Sequence, residues 1–219
     1  MSDGMAPLGI LGGTFDPIHH AHLRLALEAG EALGLHKVRL IPAGQPKHRD
    51  KPGSSADHRL AMTRLAVEGL PQLEVDPAEV LSDAPSYTVP TLERLRGELG
   101  NARPLVLLMG VDAFQGLARW HRWQDLLKLA HIGVATRPGY TLDEATLEPA
   151  LADLLRHHRN DDASALASAA AGMIIPFAIT ALDISASAIR AQFARGTSPR
   201  FLLPDAVVDY IDLHRLYQN

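Results

Sequence analysis

His19, His20 and His22 follow directly on the run Gly12-Gly13-Thr14-Phe15-Asp16-Pro17-Ile18. If a helix begins there, residues three apart share a face, so His19 and His22 point together and His20 points elsewhere. The helix start points its N–H groups and positive dipole end at the space beside that face, where an anion can sit. Gly12 and Gly13 let backbone approach a ligand closely, as a phosphate requires. Two histidines at this spacing could also ligate a metal, but a third ligand at defined spacing is missing, and no protein metal site is expected. The turn reads G-G-T-F-D-P and lacks the G-x-G-x-x-G of dinucleotide oxidoreductases. No G-x-x-x-x-G-K-[ST] occurs either, which excludes a P-loop kinase or ATPase.

Composition narrows the chemistry further. The 219 residues hold 21 Lys+Arg against 25 Asp+Glu, a net charge of −4, with 11 His and no Cys. Without cysteine there is no disulfide scaffold, thiolate nucleophile, Cys-ligated zinc or iron–sulfur ligation. Mild acidity argues against a nucleic-acid partner. The apolar runs are too short to span a bilayer, so no membrane partner is expected. The first residues lack the basic and apolar regions of a signal peptide, and a cytoplasmic location is expected. Locally the balance reverses: residues 16–65 carry 8 Lys+Arg against 5 Asp+Glu. That segment suits polyanionic ligands.

The elements that must position these residues alternate. Strands are predicted over 8–11, 38–41, 73–75, 104–109, 132–135 and 173–177. Helices are predicted over 20–33, 55–70 with Ser55 as N-cap, and 89–99 with Thr88 as cap. Helical turns follow over 113–117 and 123–129. A helical stretch over 143–158 is either broken or restarted by Pro149, and helices over 187–194 and 204–216 close the chain. Val106, Leu107 and Leu108 belong to an uninterrupted apolar run, the pattern of a strand buried on both faces of a parallel sheet. The fold expected is α/β: a Rossmann-like, doubly wound parallel sheet with helices on both faces and C-terminal helices, forming a single domain over 1–219. Residues 160–172, small, polar and Ala-rich, read as a surface insertion or mobile loop.

The run Gly12 to His19 with His22 resembles the H-x-G-H signature of the nucleotidyltransferase superfamily, and Ile184-Ser185-Ala186-Ser187-Ala188-Ile189-Arg190 is similar to its second signature, I-S-S-T-x-I-R. Ala21 stands where the first signature usually has Gly, and Ala186 and Ser187 stand where the second has Ser and Thr. Further stretches, Ser86-Tyr87-Thr88, Gly110-Val111-Asp112-Ala113-Phe114, Trp120, Pro42 to Arg49 and His131 to Tyr140, resemble the bacterial nicotinate-nucleotide adenylyltransferase family. Pantetheine-phosphate adenylyltransferase shares the two signatures but is shorter and is not expected to carry the S-Y-T and G-x-D…W set.

This resemblance implies an enzyme that joins ATP and nicotinate mononucleotide into nicotinic acid adenine dinucleotide and pyrophosphate. It implies that His19, His22 and Arg190 are catalytic, the histidines donating to the α-phosphate and bridging oxygens, Arg190 holding the departing phosphates. Gly12, Gly13, Thr14, Phe15, Gly110, Asp112, Arg137, Ser185, Ser187, Lys47 and Arg49 would contact ATP. Tyr87, Thr88, Trp120 and His121 would contact nicotinate mononucleotide, with the Trp120 ring on the pyridine. Read without the family, Trp120 would be a core residue, Asp112 an N-cap, and Lys47 and Arg49 part of a solvated basic loop. Mg²⁺ is expected to arrive with ATP. The oligomeric state is open, a homodimer included. Two other readings remain: the same chemistry on nicotinamide mononucleotide or phosphopantetheine, and a nucleotide-binding module without turnover.

Overall fold

The computed structural model describes residues 6–46, 52–137 and 142–218. Six strands, β1 (Leu8–Gly13), β2 (Lys37–Pro42), β3 (Leu73–Val75), β4 (Leu105–Gly110), β5 (His131–Thr136) and β6 (Ile174–Ala178), form one sheet in the order β3-β2-β1-β4-β5-β6. That is the doubly wound order in which the chain reverses direction beside its first strand. The pairs β1–β4, β4–β5 and β5–β6 are parallel, with Ile10 opposite Leu107, Met109 opposite Val134 and Val134 opposite Pro176. Parallel strands need crossovers, and helices supply them: α1 (His20–Ala32), α2 (Ala56–Val67), α3 (Thr88–Leu99), α4 (Val111–Gln115), α5 (Leu126–Leu129) and α6 (Pro149–His158). Two more, α7 (Ala186–Ala194) and α8 (Asp205–Leu213), follow the last strand. No helix among the described residues is long and apolar enough to cross a membrane.

The sequence patterns account for the packing. Every residue of β5 and the first five of β4 are buried, as a strand covered on both faces requires. On α1 the buried positions are Leu23, Ala26 and Ala29, the 3.6-residue stripe of a helix lying on a sheet. Ser55 caps α2, its hydroxyl accepting from the His58 N–H. Pro149 opens α6 instead of breaking it, and the residues before it form a separate short turn at Glu144–Thr146.

Two expectations change. Thr88 is the first helical residue of α3 and not its cap. The capping position belongs to Tyr87, which is extended (φ −131°, ψ 138°) and whose carbonyl accepts from the Thr91 N–H. Residues 160–172 are not a loose insertion. They contain a short turn, Ala163–Ser168, with Leu166 fully buried. The carbonyls of Ala169 and Ala170 bond the buried His131 Nε2 at 2.9 Å and Arg96 Nη2 at 2.8 Å.

Contacts group the chain into two compact units: Met1–Leu11, Leu25–Arg39 and Tyr87–Thr180 in one, Gly12–Arg24, Leu40–Ser86 and Ala181–Asn219 in the other. The divisions at Leu11 and Arg39 fall inside β1 and β2.

Candidate active site

In the unit containing residues 12–24, β1 ends at Gly13 and the chain turns through Thr14, Phe15 and Asp16 into α1. A Cβ on Gly12 would meet nothing within 4 Å, so this position is open for close approach. Gly13 differs: a Cβ there would lie 2.6 Å from Cε1 of Phe15, and the glycine is required by packing. Phe15 sits at φ 50°, in the left-handed region that a non-glycine residue occupies only at a cost, typically ~1–3 kcal/mol. Its ring is buried and meets the His22 ring edge-on, with centroids 5.1 Å apart. Any contact Phe15 makes with a nucleotide is therefore through its backbone.

His19 and His22 come together as their spacing requires. Their rings stack with centroids 3.8 Å apart and planes at 26°, and the His19 backbone N–H donates to His22 Nδ1 at 3.3 Å. His22 Nδ1 is thus an acceptor, which places the proton of the neutral ring on Nε2. Burial pulls the His19 pKa from the usual 6.5 to about 4, with nearby His20 acting in the same direction. His19 Nδ1 is buried with no hydrogen-bond partner among the described residues, an arrangement that costs ~1–3 kcal/mol and concentrates at functional sites.

The second signature lies in the same unit. Ser185 caps α7, its hydroxyl accepting from the Ala188 N–H at 3.2 Å and keeping its own proton for another acceptor. Ser187 and Arg190 follow in α7, and Arg190 Nη2 donates to Ser187 Oγ at 3.3 Å. Arg190 Nη1 donates to the Asp16 backbone carbonyl at 2.7 Å and lies 3.6 Å from the Asp16 carboxylate. The His19–His22 turn and the α7 arginine are therefore joined through Asp16.

Two residues of this assembly escaped the sequence reading. The Asp16 carboxylate, 3% exposed, accepts from the Gly53 N–H, the Ser54 hydroxyl and the Tyr217 hydroxyl, each at 2.7 Å. Arg59, 1% exposed, donates to the carbonyls of Thr14 at 2.8 Å, Gly44 at 3.0 Å and Ala43. Burial lowers the Arg59 pKa and Asp16 opposes that shift; a guanidinium nevertheless stays charged. The turn thus has a fixed positive charge directly beneath it. Lys47 and Arg49 lie outside the described residues.

In the other unit, Gly110 ends β4 and Asp112 lies in the first turn of α4, exposed. The cap of α4 is Gly110, so Asp112 is not an N-cap and its carboxylate has no capping role. Arg137 follows β5 and is exposed. Tyr87 and His121 are brought together, ring centroids 4.6 Å apart with planes at 32°. Trp120, half-buried, ends the short turn Leu117–Arg119. The following Arg122 is at φ 54° and makes a two-pronged ion pair with Glu93 of α3, at 2.7 and 3.3 Å. The Trp120–His121 segment is thereby strapped to the helix that Thr88 begins.

Residues 10–192 match the cytidylyltransferase-like family model. A protein of Dechloromonas aromatica (strain RCB) named "probable nicotinate-nucleotide adenylyltransferase" is 53% identical over 213 residues, covering 97% of this chain and 98% of that one. Its namesake from Hahella chejuensis (strain KCTC 2396) is 48% identical over 213 residues, covering 97% and 96%. The chain belongs to the nicotinate-nucleotide adenylyltransferase family. The fold agrees with a solved structure of Plasmodium falciparum nicotinic acid mononucleotide adenylyltransferase complexed with NaAD. The TM-score is 0.73, with 97% of each chain covered at 17% identity. Within the family's first signature this chain's Ala21 is half-buried. In the second, Ala186 is the first residue of α7, immediately after the capping Ser185.

Proposed function

We propose that this chain transfers the adenylyl group of ATP to nicotinate mononucleotide, giving nicotinic acid adenine dinucleotide and pyrophosphate, and that it does so as a single catalytic domain in the cytoplasm. The observation that carries the reading is the stacked His19–His22 pair at the start of α1, joined through Asp16 to Arg190. This is a donor set for phosphate oxygens in a chain about half identical to relatives bearing that name.

The reaction needs little from the protein in covalent terms. A phosphate monoester is largely dianionic at pH 7, so the nucleophile comes with the acceptor. One of its oxygens bonds to the α-phosphorus of ATP while the bond from that phosphorus to the bridging oxygen breaks. Pyrophosphate carries away the electron pair, and no side chain is acylated or phosphorylated. The barrier lies in bringing anions together and in alignment, which is worth roughly 7–11 kcal/mol when complete. His22, with its proton on Nε2, and His19 donate to the α-phosphate and bridging oxygens. Arg190, whose planar fork matches paired oxygens, holds the departing phosphates with Ser185 and Ser187 beside it. Thr14 and the open Gly12 backbone line the path of the triphosphate, and Asp112 accepts from a ribose hydroxyl. Trp120 stacks on the pyridine, while Tyr87, His121 and the N–H groups at the start of α3 receive the carboxylate.

Among the described residues no group of three or more His, Cys, Asp or Glu could hold a metal ion, and the Asp16 carboxylate already accepts three hydrogen bonds. The described residues therefore offer no ready metal cage. Mg²⁺ coordinated by the phosphates of ATP suits such a site, and it would screen their charge.

The test is pyrophosphate release from ATP with nicotinate mononucleotide, nicotinamide mononucleotide or phosphopantetheine as acceptor. The nicotinate acceptor is expected to be strongly preferred. Preference for either alternative would replace the substrate, and ATP binding without pyrophosphate release would make the chain a binding module.

A further inference from the structure

We propose that Tyr217, two residues from the C-terminus, is a positioning residue for phosphate binding: its hydroxyl clamps the Asp16 carboxylate, and Asp16 in turn holds Arg190. The inference rests on the reading of Arg190 as a phosphate ligand.

Several independent features converge on this contact. The Tyr217 hydroxyl donates to Asp16 Oδ1 at 2.7 Å, and Ser54 donates to the same oxygen at 2.7 Å. The two hydroxyl oxygens lie 3.0 Å apart. Oδ2 accepts the Gly53 N–H at 2.7 Å. Each carboxylate oxygen is thus fixed in place, and so is the backbone carbonyl of the same residue, which receives Arg190 Nη1. Burial and the neighbouring carboxylate both raise the Tyr217 pKa, so the phenol remains a donor at any physiological pH.

The tail is shaped to deliver that hydroxyl. After α8 the chain takes left-handed conformations at Arg215 (φ 51°) and Tyr217 (φ 61°), which non-glycine residues adopt at a cost. The N–H groups of Arg215 and Leu216 return to the carbonyls of Asp212 and Ile211, at 3.2 and 3.0 Å, and lock the turn. Gly53 marks how tightly the three parts meet. A Cβ there would lie 3.2 Å from Arg190 Cδ and 3.2 Å from Tyr217 Cε1, so a larger residue would press both side chains back by a few tenths of an ångström. The Tyr217 ring also lies 6.2 Å from the Phe193 ring on α7, the helix that carries Arg190. The Arg190 side chain keeps 33% of its surface exposed, so a guanidinium held from behind remains available to an anion.

A tail serving only as a structural strap would affect stability alone. A positioning residue would affect how the folded protein holds phosphates. The test compares the wild type with Tyr217→Phe, which keeps the ring and removes the hydroxyl, and with Ser54→Ala, which removes the other donor to the same oxygen. Two quantities are read on folded protein: calorimetric binding of inorganic tripolyphosphate, and kcat and KM for ATP in pyrophosphate release. Tyr217→Phe is expected to weaken tripolyphosphate binding about tenfold, the scale of one charge-assisted hydrogen bond, and Ser54→Ala to act in the same direction. In the Arg190→Lys background the Tyr217→Phe effect should largely vanish, because both act through one contact. Val208→Ala, a core truncation in α8 at a residue 3% exposed, should lower Tm and leave tripolyphosphate binding unchanged.

Normal tripolyphosphate binding and normal kcat and KM in Tyr217→Phe, with only Tm reduced, would overturn the inference. So would a full Tyr217→Phe effect in the Arg190→Lys background. Should Tyr217→Phe not fold, unchanged binding in Ser54→Ala decides against it equally. If the wild type binds tripolyphosphate but releases no pyrophosphate, the proposed reaction fails while weakened binding in the variants still upholds the clamp. A wild type that binds no tripolyphosphate overturns both.

Discussion

The His19 backbone N–H donates to Nδ1 of His22 at 3.3 Å while the two rings stack 3.8 Å apart. One local contact therefore sets the tautomer of His22, and the partner ring fixes its plane. A donor held this way needs no reorganisation as charge develops on a phosphate oxygen, which is the condition for strong electrostatic stabilisation.

Replacing His22 by Ala should cut turnover with ATP and nicotinate mononucleotide by on the order of 10²–10³-fold, the effect of deleting one preorganised donor. Steady-state pyrophosphate release measures it. Turnover within a few-fold of wild type would remove His22 from the chemistry.

The buried His19 makes folding stability depend on pH in a defined direction. The unfolded chain takes a proton on this residue near pH 6.5 and the folded chain only near pH 4, so between those values the unfolded state binds more protons. The stability is fully present above pH 6.5 and falls as pH drops toward 4, by up to about 3 kcal/mol from this group. Thermal melts from pH 7.5 to 4.5 should show a smaller loss in His19→Asn than in the wild type. Parallel losses would mean that burial of His19 is not the cause.

What could be read from the sequence was what is local in the chain. The turn Gly12 to His22 and the segment Ile184 to Arg190 announce themselves because their chemistry and their spacing coincide. The strand pattern was equally legible, since β4 and β5 are buried on both faces and are correspondingly apolar. Asp16 was present in the turn, but its partners Ser54 and Tyr217 stand 38 and 201 residues away, and no local pattern links them. Arg59 lies within the helix predicted over 55–70, and nothing in that local pattern shows that Thr14, Ala43 and Gly44 offer it their carbonyls. Residues 160–172 mislead for a related reason. Their side chains are small and polar, and it is backbone carbonyls that His131 and Arg96 use there.

Trp120 should discriminate the two substrates. Its ring is half-buried on a segment braced by the Arg122–Glu93 ion pair, so it can present a fixed face. Stacking of an aromatic base on such a face is worth about 1–3 kcal/mol. Trp120→Ala should therefore raise KM for nicotinate mononucleotide roughly 10–100-fold, with KM for ATP changed little. Equal effects on both constants would indicate collapse of the segment instead of loss of a stacking face.

Arg59 offers the sharpest separation of framework from chemistry. Its guanidinium satisfies carbonyls at the turn after β1 and in the loop after β2, and it is the largest fully buried side chain of the molecule's described residues. Arg59→Leu would keep much of the volume and leave three carbonyls without their donor, at a cost of about 3 kcal/mol or more. Arg59→Lys retains the charge but has a single nitrogen to reach oxygens that the planar fork reaches with two, and it should recover only part of the stability. Denaturant titration of the two variants gives the ordering wild type, Lys, Leu. A Leu variant as stable as the wild type would show that those carbonyls find water or backbone donors, and that the buried charge serves the anion site alone.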